Sequence, residues 1–166
     1  QASTNYCLQR TLDLFEATND SVAKSDWSSI GNQLIVVTKS GEITLFSYPA
    51  MDRVFSYRPS DEFGNKDTSI MQVAWKDDFS QIVVASSQLV RVISLLNGAT
   101  VWDNQDLLDS QFPSAVAWSL DGAKIALSIT YGDYQYNTIL IVDAETGEVT
   151  NKLQREHSTG KILQWN

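Results

Sequence analysis

His157 is the one side chain here whose ordinary pKa lies near neutrality, so acid–base chemistry at pH 7 would run through it. No nucleophile accompanies it in a recognisable pattern. Ser119 lies in Trp118-Ser119-Leu120-Asp121-Gly122, which is not the Gly-x-Ser-x-Gly elbow of a nucleophilic serine, and it reads as a turn residue. Carboxylates are more plentiful, with Asp77-Asp78 in one stretch and Asp103, Asp106 and Asp109 in another. Neither has the Asp-x-Asp-x-Asp-Gly spacing and distal Glu of a calcium loop, so both read as solvated loop charge. One cysteine, Cys7, and one histidine do not make a zinc site, and no Gly-x-Gly-x-x-Gly or Walker sequence offers a phosphate cradle. The expectation is a protein with no enzymatic activity, no metal and no cofactor.

A different chemistry is offered by Tyr131-Gly132-Asp133-Tyr134-Gln135-Tyr136 and by Phe63 in the stretch 59–68. Tyrosines beside Asp and Asn combine apolar area with hydrogen-bonding tips, a composition suited to adaptable protein-binding surfaces. The candidate contact residues are therefore Phe63, Tyr131, Asp133, Tyr134 and Tyr136. The competing reading is an extended hairpin whose tyrosines cover a neighbouring unit.

Such residues need a frame, and the tryptophans describe one. Trp27, Trp75, Trp118 and Trp165 are separated by 48, 43 and 47 residues, a recurrence that marks one supersecondary unit copied along the chain. Each of the first three ends a short stretch (21–27, 69–75, 113–118) and precedes two β-branched runs: 34–37 and 43–46, 82–85 and 90–93, 125–127 and 139–142. Weaker runs follow at 53–57, 100–102 and 148–153. These short apolar runs bounded by turn residues read as strands. Gly31, Gly41, Gly122 and Gly147 sit where tight hairpins need a positive φ. The continuous apolar run Leu34–Val37 predicts a strand covered on both faces. Trp102, out of register with the other tryptophans, is expected to pack within an outer strand. Four antiparallel strands per copy make a propeller blade.

The third copy carries a family resemblance. Val116-Ala117-Trp118-Ser119-Leu120-Asp121-Gly122-Ala123-Lys124-Ile125-Ala126 resembles the "AWSPDGKxIA" phrase of WD40 and WD40-like propellers. Ile141-Val142-Asp143-Ala144-Glu145-Thr146-Gly147-Glu148 is similar to that family's "hxDxxTGE" turn, and Leu153-Gln154-Arg155-Glu156-His157 followed by Trp165 to its "LxxH…W" junction. The family's name-giving dipeptide would need Trp at Val142. Asn19, Asp67 and Ser110 stand where the other copies would have their His157. The family's buried His–Ser/Thr–Asp–Trp network is therefore missing or replaced, and the chain resembles the looser WD40-like repeats.

The resemblance implies an all-β fold, a partial β-propeller of about three four-stranded antiparallel blades with incomplete flanking blades. The expected division is blades at 21–60, 69–104 and 113–155, the start of a further blade at 156–166, and within 1–20 either outer strands of a preceding blade, notably Cys7–Phe15, or an N-terminal extension. Trp27, Trp75, Trp118, Trp165, Asp143 and His157 take structural places in the repeat. Family geometry also puts the Thr130–Asn137 loop, longer than Lys39–Glu42 and Ser86–Leu89 in the first two blades, and the 59–68 connection on one face. The implied function is a non-enzymatic scaffold that binds other proteins. The alternative is the propeller portion of a larger enzyme or of a bacterial envelope (TolB-like) protein, gating or positioning a separate domain. Three blades and part of a fourth do not close a common ring, so an interior fragment is expected, completed by further sequence or by oligomerisation.

Composition agrees. With 43% hydrophobic and 19% charged residues over 166 positions the chain can build an ordinary core. A net charge of −8 repels phosphate backbones, so nucleic acid is not an expected partner. No apolar run approaches the length of a membrane span. The single cysteine is compatible with a reducing, cytoplasmic compartment.

Overall fold

The computed structural model describes residues 20–28, 31–58, 72–108, 111–130, 136–156 and 165. Within them lie twelve strands in three antiparallel sheets of four, an all-β arrangement of partial-propeller type. The first blade is β1 (Val22–Trp27), β2 (Gln33–Thr38), β3 (Ile43–Ser47) and β4 (Asp52–Tyr57). The second is β5 (Gln72–Trp75), β6 (Gln81–Ala85), β7 (Val90–Ser94) and β8 (Thr100–Asn104). The third is β9 (Phe112–Trp118), β10 (Lys124–Thr130), β11 (Tyr136–Asp143) and β12 (Val149–Glu156). Each sheet keeps its strands in chain order. The expected strands at 7–15, the 59–68 connection with Phe63, the loop residues Tyr131, Asp133 and Tyr134, His157, and the stretch 161–164 lie outside the described residues.

The blades pack face to face because their second and third strands are apolar on both sides. Ile35 and Val37 of β2 join Ile82 and Val84 of β6 in one core, while Leu34 and Val36 turn the other way and meet Phe46. In β6 the alternation repeats, with Val83 and Ala85 facing Ile125, Leu127 and Trp118 of the third blade. Burying an aliphatic side chain of this size contributes about 1.5–3 kcal/mol, so the interfaces between blades are the hydrophobic core. The two-faced reading of Leu34–Val37 holds, since all four residues are buried.

One irregularity recurs. The register shifts between Leu45 and Phe46, between Val92 and Ile93, and between Ile141 and Val142. These are the same two positions of the third strand in each blade. A bulge there raises the local right-handed twist and turns the outer strand away from the sheet plane.

The turns follow the glycines and, in two places, do without them. Gly31 and Gly122 have φ of 69° and 67°, four residues after Trp27 and Trp118; in the second blade Phe79 holds the same place at φ 55°. Phe79 is buried against Trp75, with ring centroids 5.9 Å apart, so packing holds a conformation that Gly would adopt freely. In the turns before the outer strands, Gly98 and Gly147 have φ of 74° and 76°, and Met51 stands at the matching place at 60°. Those two glycines serve a second purpose. A Cβ at Gly98 would sit 2.8 Å from the Phe55 ring of the preceding blade, and one at Gly147 would sit 2.9 Å from the Trp102 ring. Phe55 and Trp102 occupy matching positions in β4 and β8, so an aromatic of each of these two outer strands lies under the next blade's turn.

The third blade departs from the expected strand ends. Its second and third strands run 7 and 8 residues, against 6 and 5 in the first blade and 5 and 5 in the second. Thr130 pairs with Asn137, so residues expected in a loop extend the ladder. The run of β-branched residues at Ile129, Thr130, Thr138 and Ile139 favours that extension.

Candidate functional site

Antiparallel blades have two ends. At one lie the turns that follow the first and third strands; at the other lie the 39–42 and 86–89 hairpins, the end of β10 and start of β11, and the ends of the outer strands β4, β8 and β12. Tyr136, the one candidate contact residue among the described residues, lies at the second, the connection end. Tyr136 opens β11, directly opposite Glu156 in β12, at the root of the long β10–β11 hairpin. Tyr131, Asp133, Tyr134 and Phe63 lie outside the described residues.

The root of the connection toward Phe63 is clamped from two sides. Glu42, its side chain only 6% exposed, accepts hydrogen bonds from Arg58 Nη2 at 2.6 Å and Ser56 Oγ at 2.9 Å, and pairs with Arg53 at 3.5 Å. Burial pushes its carboxyl up, but hydrogen bonds from Arg58 and Ser56 and the two guanidinium charges outweigh it, and the net shift is downward. One residue earlier, Tyr57 accepts a 2.7 Å hydrogen bond from the buried Arg91 of the second blade, which also pairs with Asp103 at 2.7 Å. The chain thus leaves β4 through Tyr57 and Arg58, each fixed by a charge-assisted bond. The repeat motif gave no sign of this double clamp. Arg91 within an apolar third strand was the available signal, because a buried guanidinium demands partners.

At the opposite, turn end, the three inner strands surround a cavity of about 380 Å³, bounded chiefly by Lys24, Trp27, Trp75, Asp77, Trp118 and Leu120. The repeating tryptophans behave unequally there. Trp118 is buried and donates its indole N–H to the Ala74 carbonyl at 3.0 Å. Trp165 donates to the Ala117 carbonyl at 3.4 Å, the same relation one blade on. Trp75 instead offers its ring face to Lys24, whose ammonium stands 5.0 Å from the centroid and donates to the Val73 carbonyl at 2.8 Å. Desolvation lowers the Lys24 pKa, against the opposing pull of Asp26. Trp27 is 45% exposed and meets Tyr48 edge to face at 5.7 Å. Trp102 reaches across the outer part of the seam, donating to the Ala144 carbonyl at 2.9 Å.

The remaining polar residues singled out from sequence serve turns. Ser119 is buried, donates to Asp121 at 2.6 Å and accepts from the Lys124 backbone N–H at 2.9 Å. Asp143 accepts from Lys124 Nζ at 2.9 Å and from the backbone N–H groups of Glu145 and Thr146. Lys124 first, then those N–H groups, hold its carboxyl down at about 2. Asp78 caps its own turn through the Ser80 backbone and hydroxyl. Among the described residues no group of three His, Cys, Asp or Glu side chains is placed to hold a metal ion. His157 lies outside them. No helix of the described residues is long and apolar enough to cross a membrane.

No protein-family model matches the sequence, and neither does any curated protein. Comparison of folds is informative. The crystal structure of the β-propeller domain of Cps50 (Swd1) from Myceliophteria thermophila superposes with a TM-score of 0.57 at 16% identity, covering 81% of this chain. The chain spans 42% of the length of that protein's chain. Likeness at this identity speaks for the fold. Three four-stranded blades with a recurring bulge and a tryptophan latch between inner strands, together with that likeness, make this chain a partial β-propeller in fold.

Proposed function

We propose that the chain is a non-enzymatic scaffold that binds other proteins through the connection end of its blades. Contacts would come from Tyr131, Asp133, Tyr134 and Tyr136 on the β10–β11 hairpin, with Phe63 on the 59–68 connection. The observation that carries this reading is the length of that hairpin. Its strands outrun their counterparts in both other blades, the sequence they join is rich in tyrosine, and binding residues concentrate on loops carried by rigid elements. The clamp at Tyr57 and Arg58 holds the root of the Phe63 connection on the same end. Protein binding is also the usual role of this fold, and the remainder of the ring would be supplied by further blades or by other copies.

The test is chemical cross-linking and co-purification from the native source, comparing the wild type with a variant carrying Tyr131→Ala, Tyr134→Ala and Tyr136→Ala. Loss of the captured partner with an unchanged melting curve is the expected result. Undiminished capture would remove this face from the proposal.

A further inference from the structure

Several turns of the fold share one local device, an Asn or Asp side-chain oxygen that accepts the backbone N–H two residues on. Asn97 accepts from Ala99 at 3.1 Å, Asn104 from Asp106 at 3.0 Å and Asp121 from Ala123 at 3.0 Å. The residue between differs: Gly98, Gln105 and Gly122. Asn97 alone joins this geometry to a neutral amide and a following glycine. It stands exposed in the turn between β7 and β8, beside Leu96, which is 90% exposed. Ala50 and Thr146 precede the matching Met51 and Gly147 of the other blades, so the pair belongs to the second blade only.

The chemistry open to such a pair is ring closure. Gly98 has no Cβ, so its backbone nitrogen can reach the Asn97 side-chain carbon. The Ala99 N–H already donates to the oxygen on which negative charge would gather as that bond forms. Asp121–Gly122 has the same shape but offers a carboxylate, held below its usual pKa by the Ser119 hydroxyl and the Ala123 N–H, and an ionised carboxylate is a poor target for a nucleophile. Asn104 offers an amide, but Gln105 carries a side chain that hinders the approach. One contact acts as a brake. The Gly98 N–H donates to the Ser94 carbonyl at 2.9 Å, so the turn must open before the ring closes, and exposed turns open at low cost.

We propose that Asn97 is a site of spontaneous deamidation, and that the isoaspartate it yields loosens the seam between the first two blades. The Gly98 nitrogen, its proton lost to solvent hydroxide, bonds to Asn97 Cγ; the Cγ–Nδ2 bond breaks and Nδ2 leaves as ammonia with a proton from water. One water then opens the succinimide. Cleavage of the bond between the Gly98 nitrogen and Cγ gives aspartate. Cleavage of the bond between that nitrogen and the Asn97 main-chain carbonyl carbon gives isoaspartate, with the chain rerouted through Cβ and Cγ and one carbon longer. Either product adds one negative charge. Gly98 sits against the Phe55 ring of the first blade, where an added Cβ would come within 2.8 Å, so lengthening the chain there displaces a packed contact between blades.

The full chain is incubated in mildly alkaline buffer, digested at intervals and followed by tandem mass spectrometry. Asn97 should convert about tenfold faster or more than Asn104. Methyl transfer by an isoaspartate-specific carboxyl methyltransferase should rise with age in the wild type and stay low in Asn97→Gln. The isoaspartate form, separated by chromatography, should unfold at lower urea than unaged protein. Asn97→Asp adds the charge without lengthening the chain and, like Asp121, keeps its bond to the N–H two residues on, so its midpoint should match the wild type. Conversion of Asn97 no faster than that of Asn104 would overturn the assignment. An isoaspartate form with the wild-type midpoint would overturn its coupling to the seam.

Discussion

Replacing Trp118 by Phe and, separately, Trp27 by Phe tests whether equivalent places in the repeat are energetically equal. The structure says they are not. Trp118→Phe removes the 3.0 Å bond to the Ala74 carbonyl, a loss of about 1 kcal/mol for a typical buried hydrogen bond. It also removes the outer part of the indole from the core shared with Val83, Ile125 and Leu127. At about 25 cal/mol per Å² a lost area of roughly 40 Å² adds about 1 kcal/mol. The sum is about 2 kcal/mol. Trp27 is 45% exposed and belongs to none of these cores, so its replacement by Phe should stay within about 0.5 kcal/mol. Equilibrium urea unfolding followed by far-ultraviolet circular dichroism reads both. With a slope of about 2 kcal/mol per molar, Trp118→Phe should lower the midpoint by about 1 M and Trp27→Phe by less than about 0.3 M. Equal shifts would refute the argument that Trp118 latches the seam between the second and third blades while Trp27 makes no such latch among the described residues.

Two further outcomes follow from the turns. Gly147→Ala should cost about 2 kcal/mol or more in the same assay, since its Cβ meets the Trp102 ring as well as the positive φ, whereas Gly31→Ala, with open space around it, should cost only the backbone share of about 1 kcal/mol. Asp143 and Asp20 have folded-state pKa values of about 2, below the unfolded value of about 3.9. Their contribution is therefore complete above about pH 4 and is lost as pH falls toward 2; Asp143→Asn should flatten the acid limb of a stability–pH profile and leave neutral-pH binding untouched.

Much of the frame was readable from residues alone, for a physical reason. Strand runs such as Ile82–Ala85 are locally consistent, being β-branched, apolar on both faces and closed by turn residues, so every level of preference agrees. The glycine turns are equally local. What was hidden depends on neighbours in space. Phe79 carries no sign that it will adopt the conformation of Gly31 and Gly122; only its burial against Trp75 explains it. Nor does the repeat distinguish Trp27 from Trp118, because the difference lies in which blade stands beside each. Lys24 sits where the other copies have Gln72 and Ala115, and its contact with Trp75 could not be read before the two inner strands were placed side by side. The candidate face was legible as composition, in Tyr131, Tyr134 and Tyr136, and as the excess length of a hairpin.

The seam between the second and third blades is fastened at two radii. Trp118 reaches inward to Ala74 near the centre, while Trp102 reaches the opposite way to Ala144 near the rim. A joint pinned at one radius can pivot; one pinned at two cannot. The first seam is fastened twice as well, by Lys24 to the Val73 carbonyl near the centre and by Arg91 to Tyr57 farther out, so the three blades should move as one wedge. The two seams differ in their inner fastening, which is a rigid indole at one and a lysine on a four-carbon tether at the other.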